Sequence, residues 1–142
     1  MALTWNDNLL TGMAEIDEQH KELLAAINRF FDACDRGKGR EEIREMFSFL
    51  EHYIISHFAA EELYMDAHNY KNAVAHKKLH EDFRKNFEVL KKKLESSLED
   101  ASLLQSLRVQ IETNWLLGEW WINHINNVDK QLGAFLKSQT KK

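Results

Sequence analysis

Apolar residues recur every three or four positions along most of this chain, and polar side chains interrupt the resulting stripes at a few places. This spacing predicts amphipathic α-helices. The interruptions that matter most are five histidines and two carboxylates: His20, His57, Glu61, His76, His80, His124 and Asp129. A buried histidine or carboxylate costs several kcal/mol unless something pairs with it. Seven of them directed at one core predict a partner that binds them all, and a metal fits best.

The fold class follows from what the sequence lacks. It contains no proline and five glycines, and few segments alternate apolar with polar residues as strands do, so an all-α fold is expected. Four predicted helices with short connections favour an antiparallel up-down-up-down four-helix bundle with an N-terminal arm and a short C-terminal helical segment. At 142 residues the chain is expected to form one domain, with residues 1–16 as the arm, 17–136 as the bundle and 137–142 as a tail.

Capping and breaking residues mark the ends of the first three helices. Asp17 is the predicted N-cap of the first helix, which then ends at Gly37 and Gly39. A break near His68 and Asn69 separates the second helix from the third. The breaks leave three long segments, each with an apolar stripe on one side.

The fourth helix has the least regular pattern. Ser102, with Gln105 three positions later, resembles a capping box that opens it. The helix is expected to bend or restart beyond residues 126–127. Asp129 follows His124 by five positions, a spacing that turns the two side chains apart on an ideal α-helix. If both are ligands, Asp129 must come from a distorted or terminated turn.

The other spacings suit a metal site inside a bundle. Residues four apart share one helix face, so His57 with Glu61, and His76 with His80, each present two ligands toward one point. Imidazole with carboxylate suits iron, zinc or copper, and the absence of cysteine from the set excludes thiolate-rich zinc sites. Seven ligands are too many for one ion, which predicts two.

Four segments form a set that is typical of one family. They are Ile16-Asp17-Glu18-Gln19-His20, the run from His57 to Met65, the run from His76 to His80, and the run from Trp120 to Ile125 with Asp129. With these segments the chain resembles the hemerythrins, and among them the bacteriohemerythrins, over nearly its whole length. Every ligand position of the family pattern is present.

The resemblance implies a cofactor of two non-heme iron ions joined by an oxo or hydroxo bridge. Glu61 and Asp129 would be the bridging carboxylates. The histidines would divide into two sets, with His76, His80 and His124 on one iron and His20 and His57 on the other. The coordination count then leaves one position open on the iron with two histidines, where hemerythrins bind dioxygen.

A ligand pocket is expected beside that open position, lined by Phe58, Trp120, Trp121, Ile125 and Asn126. The chain departs from the family pattern here. Trp121 stands where a leucine is common, Asn126 where the side chain is often apolar, and Leu132 where a tyrosine is often found. Trp121 and Leu132 are either ordinary core substitutions or changes that alter ligand access.

The expected function is reversible dioxygen binding for storage, delivery to an oxygen-requiring enzyme, or scavenging, without enzymatic turnover. One alternative is a sensor of oxygen, nitric oxide or redox state that acts through a separate partner. A diiron oxidase or peroxidase is another, although five imidazoles against two carboxylates leave the irons less charge-neutralised than high-valent oxidants require. The last alternative is a bundle with a purely structural role and no metal.

The composition of the chain limits the partners and the compartment that can be expected. The net charge of −4 gives no reason to expect nucleic acid or an anionic membrane as a partner. The N-terminal residues lack a basic start and an apolar signal core, and the single Cys34 suits a reducing compartment, so a cytoplasmic protein is expected. His52 and His68 match no ligand position and are expected at the surface or behind the ligands.

Overall fold

The computed structural model describes residues 3–100 and 103–140, which are largely helical and include no strand. A single 3₁₀ turn, Asp7–Leu9, comes first. Three long helices follow: α1 (Ala14–Asp35), α2 (Gly39–Ala67) and α3 (Ala73–Asp100). The fourth helical stretch consists of α4 (Leu103–Trp115), a π-helical turn (Leu116–Trp120), α5 (Trp121–Asn123), a second π-helical turn (His124–Asp129) and α6 (Lys130–Thr140).

Successive helices pack side by side because short connections separate them. α1 contacts α2, α2 contacts α3, and α4 contacts both α2 and α3. This is the predicted all-α bundle, in which each helix runs antiparallel to the next. None of the helices in the described ranges is both long enough and apolar enough to cross a membrane.

Three apolar clusters stabilise the described part of the bundle, and the two largest lie on opposite sides of a polar level. Along α1, Ile16 belongs to one cluster and Leu23 to the other; along α2, Met65 and Phe58 divide in the same way. Each such side chain contributes roughly 1.5–3 kcal/mol when buried. The residues between them on both helices include predicted ligands, so the polar level is held from both sides by ordinary apolar packing.

The first helix begins earlier than the sequence suggests. Its N-cap position is Met13, which makes no side-chain capping bond, and Asp17 lies in the first turn. The Asp17 carboxylate instead accepts hydrogen bonds from Thr11 N at 2.8 Å, Thr11 Oγ1 at 2.7 Å and Gly12 N at 3.2 Å. The predicted N-cap is therefore wrong, because this carboxylate folds back to tie down the arm rather than the helix end.

The predicted breaks between the first three helices are confirmed. Gly37 has a positive φ of 73° after α1, and Asn69 has a positive φ of 52° after α2. Glycine and asparagine are the residues that adopt this left-handed conformation most readily. The predicted capping box of the fourth helix depends on Ser102, which lies outside the described residues.

The fourth helical stretch does not restart where a break was predicted. It passes through residues 126–127 as a π-helical turn and continues into α6. A π-helical turn accommodates an extra residue while the chain stays helical. The expected bend thus takes the form of a local change in helical period, which bears directly on the direction of the side chains there.

α6 packs closely against the N-terminal arm. Leu132 is fully buried in a cluster that also includes Met13 and Ile16. The next residue, Gly133, faces the backbone of Thr11. A Cβ atom at Gly133 would overlap the Thr11 carbonyl oxygen. Glycine is needed there because two backbones approach each other.

We therefore expect Gly133→Ala to destabilise the protein by about 1–3 kcal/mol, since the obstructing atom belongs to backbone that cannot rotate away. The matched control is Gly118→Ala, whose added Cβ would meet only Phe31 Cζ, at an ordinary 3.7 Å. That change should be neutral or stabilise the helix by about 0.5–1 kcal/mol. Thermal unfolding of both variants checks the prediction, and equal melting temperatures would contradict it.

Candidate metal centre

The seven predicted ligands come from all four parts of the bundle and converge at the polar level. α1 supplies one, α2 and α3 supply two each, and the second π-helical turn supplies the last two: His20, then His57 and Glu61, then His76 and His80, then His124 and Asp129. None is more than 3% exposed. Since such residues are normally kept at the surface, their joint burial marks a site.

The π-helical turn explains how His124 and Asp129 can serve the same site. Its backbone bonds join residues five apart, so side chains five apart share a face there, as side chains four apart do on an α-helix. The turn spans His124–Asp129. The predicted distortion is therefore confirmed, and it is the spacing of these two residues that revealed it.

The potential ligand atoms form two groups. The three-histidine group comprises Glu61, His76, His80, His124 and Asp129, and the two-histidine group comprises His20, His57, Glu61 and Asp129. Within each group the atoms all lie within 4.8 Å of one another. Glu61 and Asp129 belong to both groups, so the structure brings all seven predicted ligands together.

Distances in the three-histidine group match those between neighbouring ligands of one ion. Bonds of about 2.1 Å at right angles place two ligand atoms about 3 Å apart. His76 Nε2 lies 3.2 Å from His124 Nε2 and 3.1 Å from Asp129 Oδ1. His80 Nε2 lies 2.9 Å from Glu61 Oε1. Imidazole nitrogens that point at one another in this way fit a common metal better than they fit hydrogen bonds.

Each carboxylate directs its second oxygen to the two-histidine group. Asp129 Oδ2 lies 3.0 Å from His20 Nε2, and Glu61 Oε2 lies 3.6 Å from His57 Nε2. Both carboxylates thus place one oxygen in each group. Bridging carboxylates in a site for two ions have this arrangement.

Many of these atoms lack a hydrogen bond although they are fully buried. They include both oxygens of Glu61 and Asp129 and the Nε2 atoms of His20, His57 and His80. His20 Nε2 and Asp129 Oδ2 are close, but they are not aligned as a hydrogen bond. An unpaired buried polar atom costs about 1–3 kcal/mol, and charged groups cost more. Nitrogen and oxygen donors without a thiolate suit a first-row transition metal, which would satisfy them together.

Burial keeps two of the histidines neutral. Burial, followed by the nearby His20, lowers the pKa of His57 to about 3. Burial and then His76 lower the pKa of His80 to about 2. Both rings therefore offer a free lone pair at pH 7, which is the form that binds a metal.

His124, Asp129 and Glu61 shift one another's pKa values. Burial opposes a charge on His124, but Asp129 and then Glu61 outweigh it and raise the pKa of His124 to about 9. Burial also opposes ionisation of Asp129, yet His124 holds the pKa of that carboxyl well below its usual value. Burial and then the charge on Asp129 raise the pKa of Glu61 well above its usual value. The charges on His124 and Asp129 therefore stabilise each other, while the environment of Glu61 favours its protonated form.

Two further residues, missed by the sequence analysis, orient the ligands from behind. Gln19 Oε1 lies 2.6 Å from His57 Nδ1, and Glu62 Oε2 lies 3.0 Å from His80 Nδ1. Both partners are acceptors, so each Nδ1 donates and each Nε2 keeps its lone pair for the site. Arg84 in turn donates to Glu62 at 3.2 Å. Gln19 and Glu62 each adjoin a ligand in the sequence, but a polar neighbour is too common to single them out.

Aromatic side chains enclose the site. Phe58 stacks on His80 with ring centroids 3.8 Å apart, and Trp120 stacks on His124 at 4.5 Å. Trp121 and Ile125, also predicted for the pocket, are fully buried. Asn126 is exposed and does not join this enclosure, because it lies on the outer side of the π-helical turn.

The sequence analysis also missed Tyr53, which lies behind His57 with ring centroids 5.0 Å apart and donates to the Gln19 carbonyl oxygen at 2.7 Å. The histidines without a predicted ligand role stay apart from the cluster. His52 and His68 are exposed, and each places Nδ1 near a backbone carbonyl oxygen four residues earlier. Their expected position at the surface is confirmed.

Comparison with known proteins gives this site its family. The family model described as the hemerythrin HHE cation binding domain matches residues 11–136, which include all seven side chains. The chain belongs to the hemerythrin family. It is 38% identical to a bacteriohemerythrin of Pseudomonas aeruginosa over 89% of this chain and 76% of that protein.

Other relatives are more distant but cover similar lengths. A bacteriohemerythrin of Stenotrophomonas maltophilia is 30% identical over 96% of this chain and 82% of its own length. A hemerythrin-like protein of Naegleria gruberi is 26% identical over 93% of this chain and 92% of its own. The hemerythrin match thus spans the bundle as a whole, and the buried cluster of histidines and carboxylates supports metal binding within it.

We expect Glu62→Leu to weaken metal binding roughly 10- to 100-fold, because His80 would lose the acceptor that fixes its tautomer and orientation. Competition with a chelator measures the affinity. Asp66→Asn is the matched control: it removes a carboxylate from the same helix, but one that pairs with Lys77 at the surface. Equal losses in the two variants would show that general charge, rather than the His80 contact, sets the affinity.

Metal binding at pH 7 should release about one proton per chain or more, because a metal must displace the proton on His124, and the raised pKa of Glu61 favours release of a further one. The apparent affinity should rise with pH until about pH 9, where His124 loses its proton unaided. Calorimetric titration in two buffers with different heats of ionisation measures the released protons. A binding heat that is the same in both buffers would contradict the prediction.

Proposed function

We propose that this chain is a non-heme diiron protein that binds dioxygen reversibly, for storage, for delivery to an oxygen-requiring enzyme or for scavenging, and that it is not an enzyme. The observation that carries the proposal is the unequal division of the ligand atoms. Five residues contribute to the three-histidine group but only four to the two-histidine group, with both carboxylates shared. Relatives of this chain are named bacteriohemerythrins, which supports the assignment.

This inequality is suited to binding one small ligand. If two octahedral ions share a single bridging oxygen atom, the three-histidine group is complete and the two-histidine group has one free position. Two ferrous ions held by these residues would supply one electron each, so that dioxygen could bind and later leave. The free position would then lie on the side of His20 and His57.

The protein residues around the site favour binding over turnover. Phe58, Trp120 and Trp121 enclose the ligands with aromatic rings and limit access of water and protons. Tyr53 is already committed as a donor to a backbone carbonyl. Five imidazoles with two carboxylates also leave two irons less neutralised than a carboxylate-rich site does, which disfavours highly oxidised states.

The proposed ligands are dioxygen and, in competition with it, nitric oxide. We further propose that the protein acts in the cytoplasm without nucleic acid or membrane partners, in keeping with its single cysteine and negative net charge. If it serves delivery, the recipient is an oxygen-consuming enzyme.

Optical spectroscopy tests the function. The protein is loaded anaerobically with ferrous iron, exposed to air, and then returned to an oxygen-free atmosphere. A ligand-to-iron absorption band should appear in air and disappear when oxygen is removed, with about two irons per chain. A band that never forms, or iron well below that ratio, would refute reversible binding at a diiron centre.

We expect His76→Ala to lower the iron content and abolish the oxygen-dependent band, because the three-histidine group would lose a nitrogen that contacts both His124 and Asp129. His52→Ala is the control, since His52 is exposed on the same bundle and outside both groups. Iron analysis and the spectrum in air measure both effects. If the two variants behave alike, the ligand assignment is wrong.

A further inference from the structure

Trp121 is a fully buried side chain with an unused hydrogen-bond donor. Its relative exposure is 0%, and its indole Nε1 has no partner. Buried tryptophans ordinarily pair this N–H, because leaving a buried donor unpaired costs about as much as losing a hydrogen bond. Phenylalanine or leucine would fill apolar space there without that cost, so the donor calls for an explanation.

None of the described neighbours of Trp121 accepts a hydrogen bond from its indole. Its ring centroid lies 5.1 Å from that of Phe83, 5.6 Å from that of Phe58 and 5.9 Å from that of Tyr53. Phenylalanine rings offer no conventional acceptor, and the Tyr53 hydroxyl, which donates to the Gln19 carbonyl oxygen, accepts no hydrogen bond from the indole. The indole therefore sits in an aromatic enclosure whose polar needs are met elsewhere.

Two histidines link the indole to the candidate metal centre, and His124, with ring centroids 6.3 Å apart, is the more distant of the two. The Trp121 ring centroid lies 5.9 Å from that of His57, which belongs to the two-histidine group. That group has the smaller number of protein ligands and the free position. A ligand held there would bring a polar atom into an enclosure that otherwise contains an unpaired donor.

We propose that the indole N–H of Trp121 donates a hydrogen bond to the small ligand bound at the two-histidine group. This inference rests on the proposed function and adds a residue that selects among its ligands. Ligands whose outer atom carries negative charge when bound, such as small anions or partly reduced dioxygen, gain most from the bond. A ligand with a weak outer acceptor gains little.

A space-filling role for Trp121 makes a different prediction. In that case only the volume of the side chain matters, and ligand binding should change progressively as the side chain becomes smaller. Trp121→Phe and Trp121→Leu separate the two roles, because both lack the donor but differ in size. Trp115→Phe controls for the loss of a tryptophan, since Trp115 is 62% exposed.

Azide is a suitable probe because it is a small anion with a terminal acceptor and an infrared band that responds to hydrogen bonding. The affinity of the diferric protein for azide is measured by visible titration, and the band is recorded in H₂O and D₂O. Both Trp121 variants should bind azide roughly 10- to 100-fold more weakly than the wild type. The band should shift in both and lose part of its D₂O sensitivity, whereas Trp115→Phe should match the wild type.

The proposal is overturned if Trp121→Phe binds azide as the wild type does with an unshifted band, if only the leucine variant differs, or if the wild-type diferric protein binds no azide. If one variant fails to fold, the other together with the wild-type band decides between the roles. Iron content and the reversible oxygen band of the wild type are measured on the same preparations. Their loss refutes the diiron function itself, whereas their presence with unchanged azide binding refutes only the role of the indole.

Discussion

The pairing of two fully buried carboxylates, Glu61 and Asp129, is the constraint on which the rest of the structure depends. Each directs one oxygen to each group of histidines, and the charge on Asp129 disfavours a charge on Glu61. Two acids at the centre of an apolar bundle are unfavourable unless positive charge is shared between them. Bound metal would provide that charge, and the histidines that surround the two carboxylates are placed to hold it.

The second π-helical turn makes this pairing geometrically feasible. A regular α-helix would carry Asp129 away from the face of His124, and only one of the two could reach the polar level. The extra residue per turn brings both to the site, and α6 then continues with Leu132 buried against the arm. Apolar packing at the end of the bundle thus helps to hold a turn whose backbone geometry is uncommon.

The sequence predicts the bundle and the convergence of the ligands because both depend on periodicity. The spacing of four in His57 with Glu61 encodes a shared face, and the spacing of five before Asp129 encodes a distortion. The N-cap prediction for Asp17 is wrong because an aspartate near the start of a helix can accept hydrogen bonds either from the helix or from the preceding loop. The role of Gln19 depends on its contact with His57 on another helix. The exposure of Asn126 depends on the altered helical period of the π-helical turn. A local sequence pattern shows neither of these.

The acceptors behind the histidines make the two groups chemically unequal. His80 donates to the carboxylate of Glu62, whereas His57 donates to the neutral amide of Gln19. A carboxylate acceptor makes an imidazole the stronger metal ligand. The group with more ligands therefore also has a charged acceptor behind one of its histidines, whereas the group with fewer ligands has a neutral one. Under the proposed function, the number of ligands and the charge of the acceptor would both favour firm retention of a metal at the three-histidine group and exchange of a small ligand at the two-histidine group.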